Sequence, residues 1–352
     1  MNIKPFGNLR DGRLVHHISL SGHGLKASIL NYGAIVQDLR LKGHKHSLVL
    51  GFEKLDDYLE HSPYFGAIAG RCANRISNAK IELDGQLFQL DRNFLGKHCL
   101  HGGSASMGKS LWQIESSSNT AVTLSINVPD GHMGFPGNLT TKVTYSLMPV
   151  GKLDVSMEAY SDKVTLCNLA HHSYFNLSGK DSILKHRLKI MAEHYNPVDK
   201  ELIPTGQVKS VKNTNFDFRT EKTIEYTEYN EEKLDASMNL DHNFCLSNEI
   251  MPLRQIASLS SSDSGVFMNI NSTQPGLQVY TGSKINCPVP GLDKMEMGAN
   301  CGIAMEPQIW PDSINQPLFP QAILRPGELY NQQTQYIFGM NRKDFVIPIL
   351  CI

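Results

Sequence analysis

A chain of 352 residues with 41% hydrophobic and 19% charged residues has the apolar content for a large core, which excludes a disordered or low-complexity protein. A formal net charge of -1, without a dense Lys/Arg stripe, excludes a phosphate-binding face for nucleic acid. The seven cysteines (Cys72, Cys99, Cys167, Cys245, Cys287, Cys301 and Cys351) are scattered without CxxC spacing, which points to a reducing compartment rather than a disulfide framework.

The opening "MNIKPFGNLRDGRLVHH" lacks the apolar core of a secretory signal, and no later run is long enough to span a bilayer. The expectation is a cytoplasmic protein without a membrane partner. "EKLDDYLEH" (Glu53 to His61) carries helical spacing and predicts a short helix. "KIELDGQLFQL" (Lys80 to Leu90) alternates on both sides of Asp84-Gly85, the signature of a tight hairpin. The segments "AVTLSINV", "LTTKVTYSLM", "KLDVSMEAYS", "RLKIMAEHY" and "GVFMNINST" follow, each alternating β-branched or aromatic residues between turns. "EYNEEKLDASM", from Glu228, reads as a solvated charged turn or a scrap of helix. Helical crossovers are absent, so a parallel α/β fold is excluded. The prediction is an all-β fold, one large antiparallel β-sandwich spanning residues 1–352 as a single domain.

Five stretches interrupt the strand rhythm with clustered polar residues. "GRCANRIS" (Gly70 to Ser77) offers amide and guanidinium donors from Asn74 and Arg75, or is a surface turn with charged tips. "HCLHGG" (His98 to Gly103) follows His101 with two glycines that let a ligand approach the backbone. His98 and His101 have the spacing of half a metal site, but residues three apart on a strand face opposite ways, and no matching Cys/His pair follows. "LAHHSYFNLSG" (Leu169 to Gly179) holds His171 and His172, of which only one can face a given site if the segment is extended. An imidazole titrates near neutrality and can give or take a proton there, though it can equally be a structural hydrogen-bonding group. "NLDHNF" (Asn239 to Phe244) sets Asp241 among apolar neighbours, where it must be paired. "AMEPQIWPDSINQP" (Ala304 to Pro317) places Glu306 beside prolines and near Trp310, as at a strand end with a fixed base next to a sugar-stacking ring, or simply a proline-rich turn.

Taken together, "GRCANRI", "LHGG", "HSYFNLSG", "DHNF", "LQVYTG" and "MEPQIWPDSINQP" resemble the aldose 1-epimerases, or mutarotases, of the galactose mutarotase type. The resemblance covers nearly the whole chain in the family's order, with "NYGAIV", "GHMGFPGNL" and "LRPGE" adding to it. It implies a large β-sandwich with a cleft that binds a free aldose without metal or organic cofactor, in a monomer or homodimer. It further implies His172 as general acid and Glu306 as general base. Asn74, Arg75, His101, Ser173, Tyr174, Asp241 and Gln278 match its sugar-binding positions. Three departures stand out: His171 replaces the usual Asn, Ser283 replaces the Asn of "YTGN", and the glycine that commonly follows "NRI" is missing.

The chemistry suits these residue types. Exchanging anomers requires a proton taken from the anomeric hydroxyl and one given to the ring oxygen, and then the reverse. A carboxylate and an imidazole supply that pair, each contributing roughly 10²–10⁴-fold. Arg75 and His101 can donate to oxygens where negative charge builds. Rival readings are an epimerase of a phosphorylated hexose, which needs further cations such as Arg71, and a glycosidase using Asp241 and Glu306, which leaves His172 idle. A sugar-binding protein without catalysis and a metal-dependent cupin using the HxH of His44 and His46 complete the set.

Overall fold

A computed structural model describes residues 3–227 and 240–340. The charged stretch from Glu228, and Asn239 of "NLDHNF", lie outside them.

Alternation builds the main layer. Nine antiparallel strands run in the order Gln113–Ser117, Ala121–Val128, Leu139–Met148, Lys152–Ser161, Tyr330–Met340, Val266–Ser272, Arg254–Ser260, Arg187–Ile190 and Lys222–Thr223. Val143, Tyr145 and Leu147 alternate inward and meet Leu153, Val155 and Met157 of the next strand, while Lys142 and Met148 face out. Each fully buried aliphatic side chain contributes about 1.5–3 kcal/mol. The hairpin of Lys80–Leu83 and Gln86–Gln89 turns on Asp84 (φ 50°) and Gly85 (φ 78°), two left-handed residues that match the twist of the paired strands.

A second sheet of six antiparallel strands runs Tyr174–Phe175, Ile303–Gln308, Gly276–Tyr280, Asp241–Cys245, His194–Asn196 and Lys209–Ser210. One face, with Phe175, Phe244, Leu277, Val279, Ile303 and Met305, joins the inward residues of the nine-stranded sheet in a single apolar core. The N-terminal sheet of Ile3–Asn8, Leu14–Gly22, Leu25–Leu30 and Ile35–Leu41 adds Ile18, Leu20, Ile29 and Val36 to it. The all-β antiparallel expectation therefore agrees with the structure. Leu55–His61 is the one α-helix among the described residues, inside the predicted segment. No helix among those residues is long and apolar enough to cross a membrane.

One predicted strand divides. "RLKIMAEHY" splits into Arg187–Ile190, in the nine-stranded sheet, and His194–Asn196, in the six-stranded one. The chain crosses between layers at Met191–Glu193, a step its local pattern does not mark.

The outer face of the six-stranded sheet is polar and yet covered. Every residue of Ile303–Gln308 is buried, on both faces. Segments carrying Asn74 and His101 roof that face, and the site lies between roof and sheet.

Candidate active site

Register brings the polar residues together. Gln278 pairs with Glu306 and also with Asn243, and Asn243 with Asn196. Tyr174 pairs with Ala304, and His172, two residues before Tyr174, reaches Glu306 from that side. Side chains alternate along a strand. Met305 therefore enters the core while Glu306 faces the roof.

Two loops build the roof by bonding to each other. The Asn74 amide donates to His101 Nδ1 at 3.1 Å, and the His101 amide donates to the Asn74 carbonyl at 2.9 Å. Both residues take left-handed backbone, φ 61° and φ 50°. Gly102 cannot be replaced there, because a Cβ would stand 2.2 Å from the Gly70 carbonyl oxygen at a φ of +83°. Asn74 Oδ1 accepts from the Arg75 amide at 2.9 Å and from Arg75 Nη1 at 3.4 Å. The Arg75 guanidinium lies 4.8 Å over the Phe94 ring and donates to Asp241 Oδ2 at 3.2 Å. Gln278 Nε2 donates to the other Asp241 oxygen at 2.7 Å.

At the centre, His172 Nε2 stands 3.5 Å from Glu306 Oε1, with both side chains almost wholly buried. The His101 ring sits 5.0 Å from that of His172, and the Tyr174 ring 5.1 Å from it. Burial pushes Glu306 well above the usual carboxylate range; Asp241 adds to this and Arg75 opposes it. Burial lowers His172 to about 4. Both shifts have one physical cause, the cost of charge in a dry site.

His101 is held well below its ordinary range, by burial first and then by His172, Arg75 and Lys109. Its Nδ1 accepts the Asn74 amide, which assigns the proton of the neutral ring to Nε2. That nitrogen is a donor. Ring nitrogens of His101 and His172 and a Glu306 oxygen lie within 4.8 Å of one another, close enough to suggest a metal triad. A ligating histidine donates its other ring N–H to an acceptor, whereas His101 Nδ1 faces an amide N–H. The donor set therefore fits a sugar oxygen better than a cation. His44 and His46, the cupin-like pair, belong to no such cluster among the described residues.

Asn74, Arg75, His101, His172, Tyr174, Asp241, Gln278 and Glu306 thus converge. The Ser173 side chain does not: its hydroxyl bonds to His171 Nε2 at 2.9 Å, and His171 Nδ1 meets the Tyr336 hydroxyl at 3.3 Å, both on the core side. Alternation sends 171 and 173 one way and 172 and 174 the other. Trp310 is no stacking face. It packs on Phe319 with centroids 5.1 Å apart and donates from Nε1 to the Pro275 carbonyl at 2.9 Å. Glu306 lies inside its strand rather than at its end. His98 supports a loop, accepting the Asn78 amide at Nδ1 (3.0 Å) and facing Glu201 at 3.2 Å. Arg71 is spent on carbonyls, donating from Nη1 to Pro136 at 2.8 Å and Gly137 at 2.9 Å.

Two tyrosines escaped the sequence reading. Tyr280 pairs with Asp241 and stands on its face, which alternation from Gln278 in "LQVYTG" would have found. Tyr64 lies in a loop without periodicity. Its ring sits 4.6 Å from His101, with the Lys109 ammonium 5.2 Å over it.

The family model described as aldose 1-epimerase matches residues 16–337. A galactose mutarotase of Sus scrofa is 38% identical over 342 residues, 95% of this chain and 97% of its own length. An aldose 1-epimerase of Haemophilus influenzae is 33% identical, covering 94% of this chain and 98% of its own length. Among solved structures, an aldose epimerase homologue from C. elegans superposes with a TM-score of 0.86 at 29% identity, covering 93% of this chain and 99% of that one. A galactose 1-epimerase from Lactobacillus acidophilus gives 0.82 at 26% identity, with coverage of 97% and 99%.

Proposed function

This chain belongs to the aldose 1-epimerase family, and from that premise we propose that it interconverts the α and β anomers of free aldohexoses such as galactose and glucose. The observation that carries the reading is the buried His172–Glu306 pair, 3.5 Å apart, inside a ring of sugar-compatible donors and acceptors.

Glu306 takes the proton of the anomeric hydroxyl while His172 protonates the ring oxygen, and the bond between that oxygen and the anomeric carbon breaks. The aldehyde rotates. On reclosure His172 withdraws the proton from the attacking hydroxyl and Glu306 returns one to the carbonyl oxygen, so both groups end as they began. One shared proton suffices for the cycle. The His101 Nε2–H and the Arg75 guanidinium donate to oxygens as charge develops. Asp241, fixed by Arg75 and Gln278, is the acceptor for a ring hydroxyl. Ser173 is assigned here to supporting His171 rather than to touching the sugar.

A phosphorylated hexose finds less support, because Arg71 is engaged by carbonyls and Arg75 by Asp241. The cytoplasmic setting proposed for the protein rests on its cysteine spacing. Polarimetry on freshly dissolved α-galactose, α-glucose, arabinose, xylose and maltose tests the activity. Acceleration of galactose or glucose is expected. Binding without acceleration of any sugar would leave a non-catalytic sugar-binding protein instead.

A further inference from the structure

Gln308 follows Glu306 by two residues on the same strand, so its side chain turns to the same face. It is completely buried, yet neither its Nε2 nor its Oε1 has a hydrogen-bond partner among the described residues. Buried amides in folded proteins are nearly always paired, so this one requires an explanation.

Gly276 pairs with Gln308 on the neighbouring strand, and the Trp310 ring stands 2.8 Å from where a Cβ on that glycine would be. Glu306 Oε2 and Asn243 Oδ1, on the same face, are also without a partner among the described residues. The Asn243 oxygen leans over Gly276, 2.4 Å from where a Cβ would stand. A donor and two acceptors on one face are the partners one water needs.

We propose that Gln308 is a positioning residue for the epimerase reaction, its amide donating through one ordered water to Glu306 Oε2 and so holding that carboxylate ionised and aimed at the anomeric hydroxyl. This rests on the reading of Glu306 as the base. Burial favours a neutral carboxyl, and a hydrogen bond given to the charged form opposes that preference. The other titratable groups that face Glu306 are His172 beside it, His101 from the roof, Arg75 and Asp241 from across the site and Tyr174 on the adjoining strand, with Tyr336 of the nine-stranded sheet near it from the core side. Among the described residues, none of them bonds to Oε2.

Gln308→Met keeps the volume and removes the donor. The limb of the kcat/KM profile at which Glu306 loses its proton should then move up by about 0.5–1 pH unit, and the plateau should fall about 3–10-fold, one unit being tenfold. KM should hold near its wild-type value. Gln308→Glu keeps length and polarity, carries the test if the methionine variant does not fold, and should move the limb at least as far. A folded variant with an altered melting temperature but the wild-type profile would overturn the proposal, since Gln308 would then be a structural amide. Glu306→Gln, assayed alongside, separates the two levels. If it stays active, the reading of Glu306 as base fails. If it is inactive while Gln308→Met keeps the wild-type profile, only the positioning role fails.

Discussion

Glu306 and His172 face each other across 3.5 Å, and each keeps its second polar atom, Oε2 and Nδ1, without a partner among the described residues. A structural ion pair is normally tied down at every atom, because a half-satisfied buried charge is costly. Here neither second atom is bonded to a described residue, and the pair is left open to a third party. That is the arrangement a proton-transfer site requires.

Glu306→Gln retains the shape of the side chain and removes its basicity. The expected loss in kcat is at least about 10²-fold, with sugar affinity by calorimetry within a few-fold of wild type. A variant keeping more than roughly a tenth of the wild-type rate would exclude Glu306 as the base.

The adjacent histidines should separate cleanly by assay. His172→Asn removes the imidazole that meets Glu306 and should cost at least about 10²-fold in kcat. His171→Asn instead breaks the contacts with Ser173 and Tyr336 on the core side. It should lower stability by about 1–3 kcal/mol while leaving kcat within a few-fold. Comparable kinetic losses in the two variants would mean that the backbone, rather than the facing side chain, carries the function of this segment.

How much of this was legible beforehand follows from what alternation can and cannot encode. Ala121–Val128, Leu139–Met148 and Lys152–Ser161 fall where their alternation ends at turns, since that pattern is local. The break at Met191 was hidden, because which sheet a strand joins is settled by partners far away in the chain. His171 and His172 could be called opposite in direction, but alternation names no winner; only the neighbouring Glu306 does. Trp310 misled for a related reason. An indole near a carboxylate in sequence says nothing about which face each will occupy, and Pro275 with Phe319 drew it inward. The reciprocal bonds of Asn74 and His101, which shape the roof, depend on two left-handed residues that are not glycines. No composition signal marks them.

Asp241 is expected to govern affinity. One oxygen accepts from Arg75 and the other from Gln278, leaving further lone pairs for a hydroxyl at a side chain still 17% exposed. Asp241→Asn replaces an acceptor with an amide donor and frees the Arg75 charge. KM for galactose should rise at least about 10-fold, the scale of one charge-assisted hydrogen bond. Monodeoxy sugars that lack the hydroxyl held by Asp241 should be the poorest substrates of the wild type and discriminate less in the variant. An unchanged KM would make Asp241 a brace for Arg75 alone.

The last prediction concerns acid. Burial lowers His171 to about 3 and His172, His186 and His242 to about 4. Each therefore has a folded pKa below its unfolded value near 6.5. Between those values the unfolded chain binds protons that the folded chain refuses, so this stability is complete above about pH 6.5 and drains away as pH falls towards 4. At pH 5 each histidine has withdrawn about 2 kcal/mol, and four of them are a large share of a typical 5–15 kcal/mol. Glu306 acts in the opposite sense, since its raised pKa means that its burial cost fades as it gains a proton, but it is one group against four. The melting temperature should fall by at least roughly 10 °C between pH 7 and pH 5. His186→Gln isolates one contribution. His186 accepts the Leu177 amide at Nε2, 3.0 Å away, and a glutamine oxygen can take that bond without titrating. The variant should match wild type at pH 7.5, lose less on acidification, and show a stability slope shallower by up to one proton near pH 5. A melting temperature that stays flat down to pH 5 would mean that these imidazoles are not buried in the neutral form.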